Sequence, residues 1–227
     1  MVSYDLYVKT GNLDGAVRFA GDLGWNGLCF VVPYTKSFRK RISELRIRTR
    51  KRKLDVAFGV EIDAAAKNTR KITREIRKDV ELILASGGSP EANRKTLEDP
   101  MIDILTQHTV SGKCGINHVL ARLAKKNNIA ILFNFSHVLH SYGRTRSVVL
   151  ATMLETAKFV KRFGAPFLLS SGAESEWDLR SPSELTAFGK FLGFREPAVR
   201  ESLSGRILLE NRKRLSKKWI MPGVEIE

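Results

Sequence analysis

The sequence has little cysteine and no long apolar run. Only two of its 227 residues are cysteine, Cys29 and Cys114, too few for a disulfide scaffold or a structural zinc site. No apolar stretch approaches the roughly 20 residues that span a bilayer, and residues 1–9 lack the basic and apolar regions of a signal peptide. These absences argue against secreted disulfide-rich and membrane-spanning classes, and we expect a soluble cytoplasmic protein.

Acidic residues are also scarce. The 24 Asp and Glu face 39 Lys and Arg, which leaves a net charge of +15. Such an excess destabilises a compact chain by self-repulsion unless a polyanion offsets it, and nucleic acid is the usual polyanion inside cells. The charge is also uneven, because ten of the eighteen residues in 36–53 are Lys or Arg and only Glu44 is acidic. The pattern favours nucleic acid as the main partner.

Apolar runs typical of strands alternate with amphipathic helical patterns along most of the chain. The runs are mostly continuous, as in parallel strands buried on both faces, and repeated βα units predict a parallel sheet with helices outside it. We therefore expect an α/β fold, a single TIM-barrel-like domain over residues 1–227 that forms an irregular or incomplete (β/α)8 barrel. The eighth strand is expected near Ile207–Leu209, and 36–53 and 206–218 are interpreted as a basic insertion and a basic C-terminal tail. The predicted strands are Ser3–Val8, Gly27–Val32, Val56–Ile62, Val80–Ala85, Met101–Thr106, Ile129–Phe135 and Phe167–Ser170.

Residues that could carry chemistry are few. The turn at residues 86–90 precedes Arg94 and could hold a phosphate at a helix N-terminus, although a plain tight turn explains it equally well. The four histidines, His108, His118, His137 and His140, show no HxH or HExxH spacing. We assign no catalytic residue and no metal ligand.

Several short motifs together resemble one family. They run in that family's order from residue 4 to about residue 193. The chain resembles ribonuclease P protein component 3, the archaeal counterpart of the eukaryotic thirty-kilodalton subunit. The motifs are Tyr4-Asp5-Leu6, Gly59-Val60-Glu61-Ile62, Gly87-Gly88 with Asn93-Arg94, Ile102-Asp103-Ile104-Leu105, Gly115 to Ala121, Ser170 to Ala173, and Leu179 to Leu185.

The resemblance implies a subunit of the endonuclease that matures the 5′ ends of precursor tRNA. In that family the RNA component carries the catalysis and needs Mg²⁺, so we expect the isolated chain to be inactive and to bind no cofactor itself. Ribonuclease P RNA, protein component 2 in direct contact, the other protein subunits and precursor tRNA are the implied partners. The basic stretches and the resemblance together imply RNA-binding residues at Lys36, Arg39, Lys40, Arg48, Arg50, Arg52, Arg94, His118, Arg122, Lys158 and Arg180.

Two other functions stay open on the residues alone. The implied fold also resembles PHP-type metal hydrolases, whose first strand typically carries an HxH motif, so a stand-alone metal-dependent nuclease or phosphoesterase is the main alternative. Tyr7 and Lys9 stand where the two histidines would be, and neither is a good metal ligand. A metabolic barrel enzyme with a small phosphorylated substrate is the third possibility.

Overall fold

Seven parallel strands form the centre of the protein. The computed structural model describes residues 2–50 and 52–216, together with the backbone of 219–221 and 224–225. Neighbouring strands pair in chain order. Each predicted strand is present, with bounds that differ by up to three residues. The strands are β1 (Tyr4–Val8), β2 (Gly27–Pro33), β3 (Asp55–Asp63), β4 (Leu82–Ser86), β5 (Ile104–Thr106), β6 (Ala130–Asn134) and β7 (Phe167–Ser170).

Helices connect the strands and cover the outside of the sheet. Local signals fix several helix starts, as where Ser181 and Glu184 form a capping box with Pro182 in the first turn. None of the helices in the described part is long and apolar enough to span a membrane. They are α1 (Leu13–Asp22), α2 (Phe38–Thr49), α3 (Thr69–Ile76), α4 (Pro90–Leu97), α5 (His118–Asn127), α6 (Ser136–Leu139), α7 (Gly143–Phe163), α8 (Pro182–Phe191), α9 (Glu196–Leu203) and α10 (Arg206–Leu215), followed by the hairpin strands β8 (Trp219–Met221) and β9 (Val224–Glu225).

Alternate side chains of the strands fill two separate apolar layers. In β2, Cys29 and Val31 point into the barrel, whereas Leu28, Phe30 and Val32 pack against the outer helices. Both faces of the sheet are therefore buried, which explains why the strands are continuous apolar runs in the sequence. The barrel interior is a packed core, as is usual for this architecture.

The barrel is nearly closed, and side chains join its first and last strands. The buried carboxylate of Asp5 in β1 accepts hydrogen bonds from the hydroxyls of Ser170 and Ser171 at the end of β7. The Lys9 amide also donates to the Ala173 carbonyl at 2.8 Å. Burial raises the pKa of Asp5, and the hydrogen bonds from the two serines oppose this effect. These contacts confirm an irregular TIM-barrel-like fold.

The expected eighth strand near Ile207–Leu209 is wrong, because these residues lie in helix α10. Leu208 is fully buried in the interior cluster. The Asn211 side chain donates to Asp103 at 2.9 Å, and Arg212 makes two hydrogen bonds to Asp55 at 2.6 and 3.0 Å. Residues 206–216 are thus not a loose tail, since α10 closes the end of the barrel where the strands begin; residues 217–218 lie outside the described part.

The basic segment 36–53 is also not an insertion. Its central part is α2, the crossover helix between β2 and β3, and such a connection is required wherever two neighbouring strands are parallel. Phe38 and Ile42 belong to the outer apolar layer, while the basic side chains point to solvent. Residue 51 is outside the described part.

Candidate functional site

Helices α5 and α7 bring basic and aromatic side chains together on one surface. The guanidinium groups of Arg122 and Arg162 lie 5.1 and 5.7 Å from the centre of the Phe163 ring. The His118 ring lies 6.4 Å from the same ring, and Lys158 and Arg162 line one shallow groove on α7. We refer to His118, Arg122, Lys158, Arg162 and Phe163 as the α5–α7 surface.

The four basic side chains of this surface lack acidic partners. Within the described residues, none of them lies within ion-pair distance of a carboxylate. His118, Arg122 and Lys158 are exposed, as expected for residues that contact a partner. Arginine held over an aromatic ring can also stack on a base or bind a phosphate. Sequence reasoning missed Arg162 and Phe163, which a helical projection of 143–163 would have placed beside Lys158.

The predicted RNA-binding residues of the α2 region form a separate basic surface, which we call the α2 surface. Part of its charge is neutralised, because Arg39 pairs with Asp79 at 2.8 Å and Arg48 and Arg52 share Asp14. The hydrogen bond from Arg48 is the largest of the effects that lower the pKa of Asp14. The exposed members of the surface are Lys36, Arg39, Lys40, Arg48, Arg50 and Arg52.

Arg94 and Arg180 belong to neither surface. Arg94 forms an ion pair with Glu98 one turn along α4, at 2.8 Å. Arg180 donates to the carbonyls of Trp177 and Leu179, so it supports its own loop. The turn at 86–90 is held by the buried Asn93, whose side-chain oxygen accepts from the Gly88 amide and whose side-chain nitrogen donates to the His108 and Gly115 carbonyls of the loop between β5 and α5. These contacts favour the plain-turn interpretation of this segment.

Polar side chains meet inside the barrel at the end where the strands finish, which we call the barrel mouth. The carboxylate of Glu61 accepts hydrogen bonds from the Tyr7 hydroxyl at 2.9 Å and the Thr106 hydroxyl at 2.5 Å, and it pairs with Lys9 at 2.7 Å. Burial and the adjacent Glu61 raise the pKa of Tyr7. Both carboxylate oxygens of Glu61 thus have partners within the protein.

A metal ion does not fit this arrangement. The Lys9 ammonium lies where a cation would have to bind Glu61, and two hydroxyl donors already use the other oxygen of the carboxylate. Across the described ranges, no three His, Cys, Asp or Glu side chains come close enough to share a metal ion. Tyr7 and Lys9, the two residues singled out in the sequence, are thus among the groups that occupy the Glu61 carboxylate.

Three of the four histidines lie beside a cavity of about 410 Å³ at the barrel mouth. His108 follows β5 and His137 lies in α6, directly after β6, so the register of two neighbouring strands brings them together. Burial lowers the pKa of His108 to about 4. Burial is also the main cause that lowers the pKa of His137, with the nearby charge of Lys9 adding to it. Sequence reasoning found the residues but not the cavity, which distant segments form.

The geometry agrees with comparisons to known proteins. The sequence model of the family described as RNase P subunit p30 matches residues 2–216. The chain belongs to this family. Ribonuclease P protein component 3 of Methanothermobacter thermautotrophicus is 31% identical over 211 residues, which cover 90% of this chain and 86% of the relative. The same component of Methanocaldococcus jannaschii is 33% identical over 175 residues, 76% of this chain and 75% of the relative. The resemblance noted from the motifs is confirmed.

One solved structure supports the same family, and another shares the fold alone. A chain of the cryo-EM structure of archaeal ribonuclease P with mature tRNA superimposes with a TM-score of 0.86 at 28% identity, over 98% of this chain and 97% of that one. An ochratoxinase of A. niger superimposes with a TM-score of 0.62 at 7% identity, covering 90% of this chain and 70% of that one. The second similarity concerns the barrel fold alone.

Proposed function

We propose that this p30-family chain is a non-catalytic protein subunit of ribonuclease P that supports the catalytic RNA during endonucleolytic 5′ maturation of precursor tRNA. Catalysis belongs to the RNA component and its Mg²⁺ ions, and the chain binds and positions RNA. Family membership supports the assembly, since the related structure is of archaeal ribonuclease P with mature tRNA. A barrel fold serves many functions, so the role of this chain has to be argued from the residues on its own surface.

The observation that carries the proposal is the α5–α7 surface. Its cations are exposed and free of carboxylate partners among the described residues, and two of them flank one aromatic ring. Charges arranged in this way are available to phosphates, which supply most of the affinity of protein–RNA contacts and make it dependent on salt. The α2 surface is a second, partly neutralised contact of the same kind.

The main alternative, a stand-alone metal-dependent nuclease or phosphoesterase, is disfavoured at the barrel mouth. Such an enzyme needs open carboxylate or imidazole ligands around a divalent ion. The Glu61 carboxylate instead pairs with Lys9 and accepts hydrogen bonds from Tyr7 and Thr106. We therefore assign cleavage to the RNA component of the enzyme.

Protein component 2 is the proposed direct protein partner, with the other ribonuclease P proteins and precursor tRNA joining the same assembly. Co-purification of this chain with component 2 in the absence of RNA tests the direct contact. We expect a stable complex that survives size-exclusion chromatography at a salt concentration that removes RNA. Separate elution of the two proteins at every salt concentration would contradict direct pairing.

Binding to ribonuclease P RNA tests the α5–α7 surface. We compare the double variant Arg122→Ala/Arg162→Ala with Arg70→Ala/Lys71→Ala, which removes the same charge from exposed positions of α3. The slope of log affinity against log salt should decrease by about 0.7 to 0.9 for each phosphate that a variant no longer binds. We expect the first variant to bind about tenfold or more weakly near physiological salt and the α3 variant to stay within about twofold. Equally weakened binding in both variants would show that only net charge matters.

A further inference from the structure

The cavity at the barrel mouth has no role in the function proposed above. Its volume, about 410 Å³, falls within the roughly 300–1,000 Å³ of typical small-molecule sites. Apolar walls come from Leu132, Val148, Val149 and Met153, and polar groups come from the loops after β5 and β6. Apolar walls with a few convergent polar groups are typical of a ligand site rather than of a packing defect.

The charges around the cavity define the chemistry of its ligand. Among the residues that the structure describes, no Lys or Arg lines it, and Glu174 is its only acidic residue. Because His108 and His137 have lowered pKa values, both imidazoles are neutral at pH 7. Lys9 is paired with Glu61 and Arg146 lies at the rim, so a phosphate would find no counter-charge among the lining residues themselves, and a divalent cation would find a single carboxylate. The lining therefore suits a neutral ligand that carries both hydrogen-bond donors and acceptors.

Two local features beside the cavity are unfavourable for the fold by itself. The Nδ1 atom of His108 is buried and has no hydrogen-bond partner in the described part of the chain, whereas its Nε2 atom bonds to the Leu132 carbonyl at 3.2 Å. Leaving a buried polar group unpaired destabilises the folded chain. The preceding residue, Gln107, has a left-handed backbone (φ 46°), a conformation that is strained in a residue other than glycine and that clusters at functional sites.

The rim of the cavity adds a surface for stacking. Tyr142 follows the rim residues His140 and Ser141 and is 75% exposed. The Arg146 guanidinium lies 5.2 Å from the centre of the Tyr142 ring and donates to the Ser141 carbonyl at 2.6 Å. Aromatic, imidazole and guanidinium planes are the groups on which proteins stack unpaired bases.

From these features we infer that the barrel mouth binds a nucleobase, inserted between the histidines and Val148 and read through its hydrogen-bonding edge. The base could belong to an unpaired nucleotide of RNA or to a free nucleotide, and the chemistry of recognition is the same for both. The inference depends on the proposed function only if the base belongs to RNA, and it does not depend on it if the base belongs to a free nucleotide. The α5–α7 variants test that function independently, because their side chains lie outside the cavity.

The four histidines provide the assay: His108 and His137 report on the cavity, and His118 on α5 reports separately on phosphate binding at the α5–α7 surface. The Cε1 proton resonances are followed while AMP, CMP, GMP or UMP is added, with ribose 5-phosphate as the ligand without a base. The pentaribonucleotides A5, C5 and U5 form the RNA arm. We expect at least one nucleotide to shift His108 and His137 at concentrations where ribose 5-phosphate does not.

A matched pair of variants on α7 tests where the base binds. Val148 lines the cavity and is 43% exposed, so Val148→Trp fills the entrance without disturbing the core. Ser147→Trp adds the same side chain at the neighbouring exposed position, which does not line the cavity. We expect Val148→Trp to weaken nucleotide binding about tenfold or more and Ser147→Trp to stay within about twofold.

Each outcome decides the inference. Tighter binding of a pentaribonucleotide than of its mononucleotide supports the nucleobase site and identifies RNA as the source, and binding of mononucleotides alone supports it with a free nucleotide as the source. Shifts confined to His118, shifts by ribose 5-phosphate equal to those by nucleotides, or no shift at millimolar nucleotide would overturn it. Equal binding by the two tryptophan variants would also overturn it.

Discussion

Replacing Leu208 by alanine should destabilise the barrel from its closed end. The side chain of Leu208 is fully buried and belongs to the interior cluster, whereas Leu209, the next residue, is 40% exposed. Truncation of a buried leucine removes its transfer free energy and leaves a cavity, which together cost about 2–5 kcal/mol. For a domain of this length, each kcal/mol lowers the melting temperature by about 2–4 °C. We therefore expect Leu208→Ala to melt about 6–12 °C lower, from a destabilisation near 3 kcal/mol.

Leu209→Ala is the matched control, since it makes the same truncation one position away on α10. A surface truncation of this kind changes stability by about 0.5 kcal/mol or less, which is a shift of about 2 °C at most. Thermal melting and urea unfolding of the isolated chain measure both variants. If the two variants melt at the same temperature, α10 is not the element that closes the barrel, and the sequence-based interpretation of 206–218 as a basic C-terminal tail would stand.

Two further predictions concern charge. Because the pKa of His108 is about 4 in the folded chain and about 6.5 when exposed, the unfolded chain takes up a proton first as the pH falls. Protonation of His108 should therefore lower the free energy of unfolding by about 3 kcal/mol between pH 6.5 and pH 4. Urea titrations should show that His108→Gln loses this part of the pH dependence. The same pH dependence in both proteins would contradict the prediction. Neutralising the α2 surface should leave the melting temperature within about 2 °C, since its ion pairs are exposed and contribute about 0–1 kcal/mol, but assembly with ribonuclease P RNA should become more sensitive to salt. Unchanged assembly across a salt series would show that the surface is only solvated. The substitutions are to glutamine at Arg48, Arg50 and Arg52 of this surface and at the adjacent exposed Lys53.

The sequence predicted the strands well because both faces of the sheet are buried. Continuous apolar runs such as residues 27–32 have few alternatives in a chain that alternates βα units. The prediction of a strand at Ile207–Leu209 is wrong because three apolar residues carry no periodicity that separates strand from helix. The burial of this segment is decided by tertiary contacts, in which Leu208 enters the barrel while Arg212 binds Asp55.

The α2 region and the cavity were hard to predict from the sequence for two different reasons. The density of charge in 36–53 suggests an insertion, although the apolar spacing of Phe38 and Ile42 already indicates a helix with one buried face. The cavity at the barrel mouth could not be predicted, because His108, His137 and Val148 come together only through the register of β5 and β6 and the packing of α7. A sequence signal existed in the position of two histidines just after consecutive strands.

Reconstitution of precursor-tRNA cleavage tests the central claim most directly. Ribonuclease P RNA, component 2 and the other protein subunits are combined with and without this chain, and 5′ maturation is measured at moderate Mg²⁺, beside the chain alone. We predict that cleavage by the assembly increases when the chain is added and that the chain alone does not cleave. An assembly that is equally active without it, or cleavage by the isolated chain with Mg²⁺ or Mn²⁺, would contradict a supporting role for this subunit.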